Sequence, residues 1–454
     1  MSTLTAPRLT LALCERSSSL AFAELPDDVI EIARQALLDW FGVTLSGSSE
    51  EGPAMLLDIL PPGDPSDART VSVVGHEVRL TALHASLVNG TASHRLDFDD
   101  VNLSFLGHAS VAVIGAALAL AEQQDASGRD LITAFVAGYE TACRIALAIG
   151  PEPYLRGFHS TGTVGTFGAA AACSRLLNLD SHRTAVAFGI AASQAAGLKS
   201  NLGTMTKSLH AGKACENGLL AALLAARGFT ASAESIEAEQ GFAALAGGTC
   251  DMSAAVADPP CGWHLRENLF KYHAACFFTH SMIDGIRELR TSGQLVAEGV
   301  ERVVVHVGEM ELGACAIPEP ATGLEVKFSM AHLAAMALLD RDTTVISDAA
   351  AADPHAIALR RKVVLVQDGL PGEPTRVEIE LLDQSTVHAA VDLTKPQTDL
   401  ALQHERLSQK FLALAEPVLG SAGARTLAKA VHTVDSDVNI RHLMSLARPP
   451  PPAP

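Results

Sequence analysis

Over the first three-fifths of the chain, apolar residues return at three- and four-residue steps, the spacing of helices that bury one face. LPDDVIEIARQALLDWFGVTL (25–45) opens on Pro26 and two acids, which suit the positive end of a helix, and is expected to stop where Gly42 and Gly47 interrupt it. LTALHASLVNGTASHRL (80–96) has the same spacing. VAVIGAALALAEQQ (111–124), GRDLITAFVAGYETACRIALAI (128–149) and VGTFGAAAACSRLLN (164–178) are so rich in Ala that they are expected inside a helical bundle. Small side chains let helix axes approach, and Ala loses no rotamer entropy. One short stretch, TVSVVGHEV (70–78), alternates and reads as a hairpin.

After about residue 272 the period changes. ERVVVHVGEM (301–310), RRKVVLVQD (360–368), TRVEIELLD (375–383) and STVHAAVDL (385–393) alternate apolar and polar residues with many Val, the spacing of strands, and FSMAHLAAMALLD (328–340) is a helix among them. Helical spacing returns in LQHERLSQKFLALAEPVL (402–419), and RPPPPPAP closes the chain. The expected fold is mainly α. A large all-helical domain takes residues 1–272 and, as a C-terminal return, 401–446; a smaller α+β lid takes 273–400, and a proline-rich tail 447–454. An inserted lid invites a cleft, the usual place for a small ligand.

With 48% hydrophobic and 19% charged residues, the 454-residue chain has the composition of a folded enzyme. Its net charge of −18 argues against nucleic acid or an anionic membrane as partner. Eight scattered cysteines form no CxxC pair, which fits reduced thiols and gives no zinc or iron–sulfur signature. The N-terminal apolar patch is too short for a secretory signal, and no apolar run of spanning length is evident, so a soluble cytoplasmic protein is expected.

Against that acidic background the cationic clusters stand out. In LGTMTKSLHAGKA (202–214), Lys207, His210 and Lys213 crowd the first turns of a helix expected to begin near Leu209. The macrodipole disfavours cations there, so an anion is expected to fill the place. ASHRLDFDDVN (92–102) gathers Asp97, Asp99 and Asp100 beside His94. Three carboxylates so close are an acidic wall of a catalytic pocket, a capping cluster on a surface loop, or an Mg²⁺ site. In GFHSTGTVGTFGAAAA (157–172), His159 precedes a helix start rich in hydroxyls and backbone N–H groups, which attract carboxylate or phosphate; the plainer reading makes Ser160 and Thr161 a cap. KYHAACFFTH (271–280) places Lys271, His273, Cys276 and His280 at the domain junction. Lys and His around bound carboxylates, with Asp nearby, suit proton or carboxylate removal from a small polycarboxylic acid. No nucleotide or flavin fingerprint is present, so no organic cofactor is expected.

These stretches together resemble the MmgE/PrpD family, which includes 2-methylcitrate dehydratase, cis-aconitate decarboxylase and iminodisuccinate epimerase. The resemblance rests on LVNGTASHRLDFDD, GFHSTGTVGTFGAAAA, MTKSLHAGKACENGLLAALLAARGFT, FKYHAACFFTH and VKFSMAHLAAMALLD, in that order over nearly the whole chain. It implies a helical domain built from both ends of the chain, an α+β lid, a homodimer and metal-free chemistry, which demotes the Mg²⁺ reading. Residue by residue it implies that Asp97, His108, His159, Lys207 and Lys271 line the active site. His159 or His108 would move the proton, Lys207 and Lys271 would hold carboxylates, and Asp97 would orient a basic group. His210, Lys213, Cys276 and His332 are expected to contact substrate. The chain departs from the family pattern at GHAS around His108, at Cys276 where decarboxylase-type members carry His, and at His332 where a Tyr is common. The expected function is a cofactor-independent lyase, dehydratase or decarboxylase, acting on a 2-methylcitrate- or cis-aconitate-like acid. An epimerase of an iminodisuccinate-like compound and a non-catalytic carboxylate-binding protein are the alternatives.

Overall fold

The computed structural model describes residues 9–64, 67, 69–247, 250–369, 374–436 and 438–450. Residues 1–8 of the N-terminal patch and 451–454 of the proline-rich tail lie outside them. The chain divides into two compact units. The first comprises Met1–Leu198, Lys207–Phe270 and Gln397–Pro454; the second comprises Lys199–Thr206 and Lys271–Pro396. The fold is mainly α, with a smaller α+β part.

In the first unit the principal helices are α1 (Asp27–Ser48), α2 (Ala82–Ser93), α3 (Ala109–Gln124), α4 (Gly128–Ile149), α5 (Ser160–Leu176) and α6 (Met205–Ala226), followed at the C-terminus by a return helix, Leu400–His432. Strands β1 (Thr70–Ser72) and β2 (Arg79–Thr81) form the expected hairpin, with the second strand just past the alternating stretch. Helix α4 has the bounds its pattern predicts. Ser127 and Asp130 close a capping box at its start, and Gly150 with φ +73° ends it.

Three expectations fail here. Helix α1 runs through Gly42 and Gly47, because each glycine lies against a neighbour: a Cβ would stand 3.3 Å from Phe411 at the first and against the Ala92 carbonyl at the second. Helix α6 begins at Met205, a full turn before Leu209. Helix α4 is long and apolar enough to span a membrane, contrary to the sequence reading, yet nearly all of it is buried among protein neighbours, as in a core helix. The eight cysteines are free thiols.

The packing uses small residues where helices cross. At Gly138 of α4 a Cβ would lie 2.5 Å from the Gly168 carbonyl of α5. At Gly90 of α2 it would lie 2.9 Å from the Gly212 Cα of α6 and 2.7 Å from the Cys215 sulfur. Backbones therefore come closer than any larger side chain allows. The return helix packs most extensively on α1 and is bent at Gly420 (φ 68°, ψ 161°), so the reading of one helix ending at residue 419 was incomplete: a second arm follows the bend.

In the second unit, β3 (Val300–Val307), β4 (Val363–Gln367), β5 (Arg376–Leu381) and β6 (Thr386–Ala390) form one sheet in the order β4-β3-β5-β6. The β3–β4 pair is parallel and the other two are antiparallel. Helices α7 (His280–Thr291) and α8 (Met330–Leu338) bury Met282, Ile283, Ile286 and Leu333 with Val303, Val305, Val377 and Ile379 of the strands. Leu202, from the stretch Lys199–Thr206, packs against this core.

The crossing of α2 and α6 gives a test. A Cβ at Gly212 would meet the Leu87 carbonyl and the Thr91 hydroxyl. Gly212→Ala is expected to cost about 1–3 kcal/mol, as overpacking does. Gly313→Ala, in a helix where the added Cβ would come no nearer than 3.7 Å to the Lys199 ammonium, is expected to be neutral or stabilising by up to about 1 kcal/mol. Urea denaturation of both variants checks the contrast.

Candidate active site

Helix α2 ends at Ser93, and the next fifteen residues lead to the start of α3 without regular structure of any length. A tight turn at 94–97 leaves Asp97 in the left-handed region (φ 53°), a conformation that Asp tolerates better than most residues. The loop is tied down on both sides. Val101 pairs with Leu269 through two backbone hydrogen bonds, and Lys410 of the return helix donates to the Phe98 carbonyl at 2.7 Å while pairing with Asp39 at 2.6 Å. The ammonium also lies 4.0 Å from the centre of the Phe98 ring.

Asp97, Asp99 and Asp100 are 2%, 1% and 2% exposed, so the surface-cap reading is overturned. They also diverge. The Lys207 ammonium donates to Asp97 Oδ1 at 3.0 Å; Asp99 Oδ2 lies 2.8 Å from Nδ1 of both His94 and His108; Asp100 Oδ2 accepts from Ser110 at 2.6 Å and Asn268 at 2.8 Å. Each carboxylate has its own donors, so the three do not form the oxygen cage that Mg²⁺ requires. His94, Asp99 and His108 do offer three ligand atoms within 4.8 Å of one another, a nitrogen-rich set that suits a zinc-class ion better than magnesium.

His108 and His159 occupy the N-cap positions of α3 and α5, where Ser, Thr, Asp or Asn is the usual choice, and neither ring caps its helix. The rings are used elsewhere. His108 Nε2 stands 3.8 Å from Asp97 Oδ1, and its backbone N–H donates to the Thr161 hydroxyl of α5. His159 Nδ1 is 3.1 Å from His210 Nδ1, so one of the two carries the hydrogen between them. His159 also stacks on His94 at 5.7 Å, and His94 meets His108 edge-on at 4.6 Å. The pairing of His159 with His210 depends on Gly162 and Gly197: a Cβ at the first would lie 3.1 Å from His210 Cβ, and at the second 3.3 Å from its ring.

Burial sets the protonation. It is the largest influence on His94, His159 and His210, and Lys207 adds to it in all three. His94 is pushed down to about 3 although Asp99 opposes the shift, His210 to about 4, and His159 well below the usual histidine range. Burial pushes Asp99 up, but the His108 and His94 rings beside it prevail and hold it well below the usual carboxylate range. Asp100 is raised to about 7 by burial and then by the Asp39 charge. At neutral pH the cluster therefore holds ionised Asp99 against neutral His94, His159 and His210.

The structure thus brings Asp97, His108, His159, Lys207 and His210 together. Two other expected contacts fail. Lys213 points outward from α6, its side chain 47% exposed and ion-paired with Glu216; at 3.6 residues per turn it sits about 120° around the helix from Lys207 and about 60° beyond His210. His332 is fully buried in the second unit, with Nε2 donating to the Ala350 carbonyl at 2.9 Å and Nδ1 facing the Arg360 guanidinium at 3.4 Å, so its ring serves packing. Also in that unit, Lys271 is fully buried and donates to the Ala275 carbonyl at 3.0 Å, and Cys276 is half-buried at the start of a single helical turn. The sequence reading counted Asp99 with Asp97 and Asp100 as an acidic wall, a surface cap or an Mg²⁺ site and gave His94 no role of its own. The signal that pairs His94 with Asp99 was the five-residue spacing across the end of α2, readable only once the turn at Asp97 is known.

Asp100 yields a pH test. Its folded pKa is above the unfolded value, so its contribution to stability is complete below about pH 4 and is lost as the pH rises through about 7. Asp100→Asn removes that loss. The stability of wild type relative to the variant is expected to fall between pH 5 and pH 8, which urea midpoints at the two pH values measure.

Comparison with known proteins finds matches over nearly the whole chain. The profile of the MmgE/PrpD N-terminal domain matches residues 12–254, and that of the MmgE/PrpD C-terminal domain matches residues 273–436, running past the α+β unit into the helical return. Cis-aconitate decarboxylase of Homo sapiens is 29% identical over 456 residues, covering 95% of this chain and 93% of its own. The protein of that name from Aspergillus terreus is 28% identical over 484 residues, covering 98% and 97%, and that from Mus musculus is 28% identical over 417, covering 87% and 84%. With both domains matched in order, the chain belongs to the MmgE/PrpD family.

Proposed function

We propose that the protein is a cofactor-independent lyase that decarboxylates a small polycarboxylic acid of the cis-aconitate type by His/Lys acid–base catalysis. The observation that carries this reading is the buried Lys207–Asp97 pair set among histidines that burial keeps neutral. A ligand with two or three carboxylates supplies the missing negative charge. Lys207 then turns from Asp97 toward a substrate carboxylate, and the nearby imidazoles become more basic. His159 is the proton donor in this scheme, resupplied through its Nδ1 contact with His210. Asp99 fixes the Nδ1–H tautomer of His94 and faces Nδ1 of His108, which directs the Nε2 atoms away from it.

The balance is simple. The bond to the departing carboxylate breaks, its electron pair stays with the carbon skeleton, a proton from the imidazolium ends on carbon, and CO₂ leaves. Dehydration of a 2-methylcitrate-like acid would use the same groups with water as the leaving group. The family resemblance adds Lys271 as a second carboxylate holder and Cys276 as a substrate contact. It also carries the expectation of a homodimer, which sedimentation tests.

Incubation with cis-aconitate, 2-methylcitrate and iminodisuccinate in deuterated water, followed by NMR, separates the readings. Release of CO₂ with one deuterium in the product is the expected result, reduced by about 10²–10⁴ in His159→Gln. Water loss without CO₂ would make it a dehydratase. Deuterium exchange with inversion would make it an epimerase, and binding without exchange would leave no catalysis. A second expectation follows from the depressed histidines: binding of the tricarboxylate at pH 7 takes up protons. Calorimetry in buffers of different ionisation enthalpy measures that uptake, and release or no change would contradict the charge scheme.

A further inference from the structure

The bend at Gly420 folds the return helix on itself and brings His432, the last residue of the second arm, back beside His404 near the start of the first. The two rings lie 4.9 Å apart. Facing them is Glu31 of α1, whose Oε1 is 3.8 Å from His404 Nδ1. The three side chains offer ligand atoms all within 4.8 Å of one another, and none belongs to the active-site cluster. His404 Nδ1 is buried and makes no hydrogen bond among the described residues.

We propose that Glu31, His404 and His432 bind a divalent transition-metal ion of the zinc class, which ties both arms of the return helix to α1. Two imidazole nitrogens and one carboxylate oxygen select such an ion over magnesium or calcium, which prefer oxygen alone. At zinc bond lengths of about 2.0–2.1 Å, tetrahedral ligand atoms stand about 3.4 Å apart, so the observed set closes on an ion with small side-chain rotations. Water completes the coordination on the exposed His432 side.

The surroundings fit. Gln35 donates to Glu31 Oε1 at 2.9 Å and Arg34 to Oε2 at 3.1 Å, which fix the carboxylate and leave a lone pair of Oε1 toward the rings. Arg34 is shared with Asp435, to which it donates two hydrogen bonds at 2.8 and 2.9 Å, so Glu31, Asp435 and Arg34 together carry one net negative charge before the ion arrives. Gln35 also donates to the Leu400 carbonyl and accepts from Gln403, which holds the start of the return helix in register beside Glu31. Ligands and supports thus come from three separate stretches of chain.

The test uses full-length protein dialysed against a chelator and titrated with Zn²⁺ by calorimetry, and with Co²⁺ by visible absorption, at pH 7.5. One equivalent is expected to bind through His404 and His432. His432→Ala, a change at an exposed position, weakens that binding by about tenfold or more, as does His404→Ala. Excess Zn²⁺ raises the thermal midpoint of wild type by several degrees and leaves that of His432→Ala where it was. Turnover is unchanged in His432→Ala, which separates this site from the active-site cluster. The absence of saturable binding, or binding that both histidine variants leave intact, would overturn the proposal.

Discussion

The structure depends on one electrostatic constraint: carboxylates buried in a small-residue helical core must each be matched by their own donor. Asp97 has Lys207, Asp99 has His94 and His108 beside it, Asp100 has Ser110 and Asn268, and Asp39 has Lys410. Removing Lys207 or Lys410 from its buried ion pair costs about 3–5 kcal/mol, because the charge left behind is uncompensated. Lys207, Asn268 and Lys410 lie more than a hundred residues from the carboxylates they meet. Their alignment therefore fixes how α2, α3, α5 and α6 pack, and the close approach of Gly90 and Gly212 is what lets Lys207 reach Asp97.

The same constraint makes the site reactive and costly. Histidines held neutral and an Asp100 held above its usual pKa oppose folding at opposite ends of the pH scale. The histidines lose stability as the pH falls through their depressed values, and Asp100 loses it as the pH rises toward 7. The proposed polycarboxylate would change the histidine side of that balance, because its negative charge would favour the protonated rings. The site would then be assembled most stably with its ligand, a common cost of catalytic preorganisation.

The C-terminal return links this core to the rest of the first unit. Lys410 holds the Phe98 carbonyl between Asp97 and Asp99, and Arg34 and Gln35 of α1 fasten the two ends of the return helix through Asp435, Leu400 and Gln403. A segment that looks like a plain amphipathic helix thus supports the loop on which the acids sit. The proposed metal site lies on the same seam, where it would strengthen an anchor already made by hydrogen bonds.

Much of this was legible in the sequence, because helix and strand periods are local properties. The pattern gave α4 its bounds and the four strands of the second unit their places within a few residues, and ordered motifs carried the family. Lys207, His159 and His210 were legible from residue chemistry, since cations and imidazoles at helix starts in an Ala-rich chain are costly without a purpose, whereas His108 and its grouping with Asp97 came with the family resemblance. What only tertiary structure decided was direction and proximity. Lys213 and Lys207 share one helix yet the first is exposed and the second buried, and His332 turns into the core of the second unit. Gly42 and Gly47 mark close contacts rather than helix ends, while Asp99 gains its role only when a left-handed turn at Asp97 carries it back to His94. Those outcomes depend on which surfaces meet, and a linear pattern records periodicity along the chain without recording the partner across it.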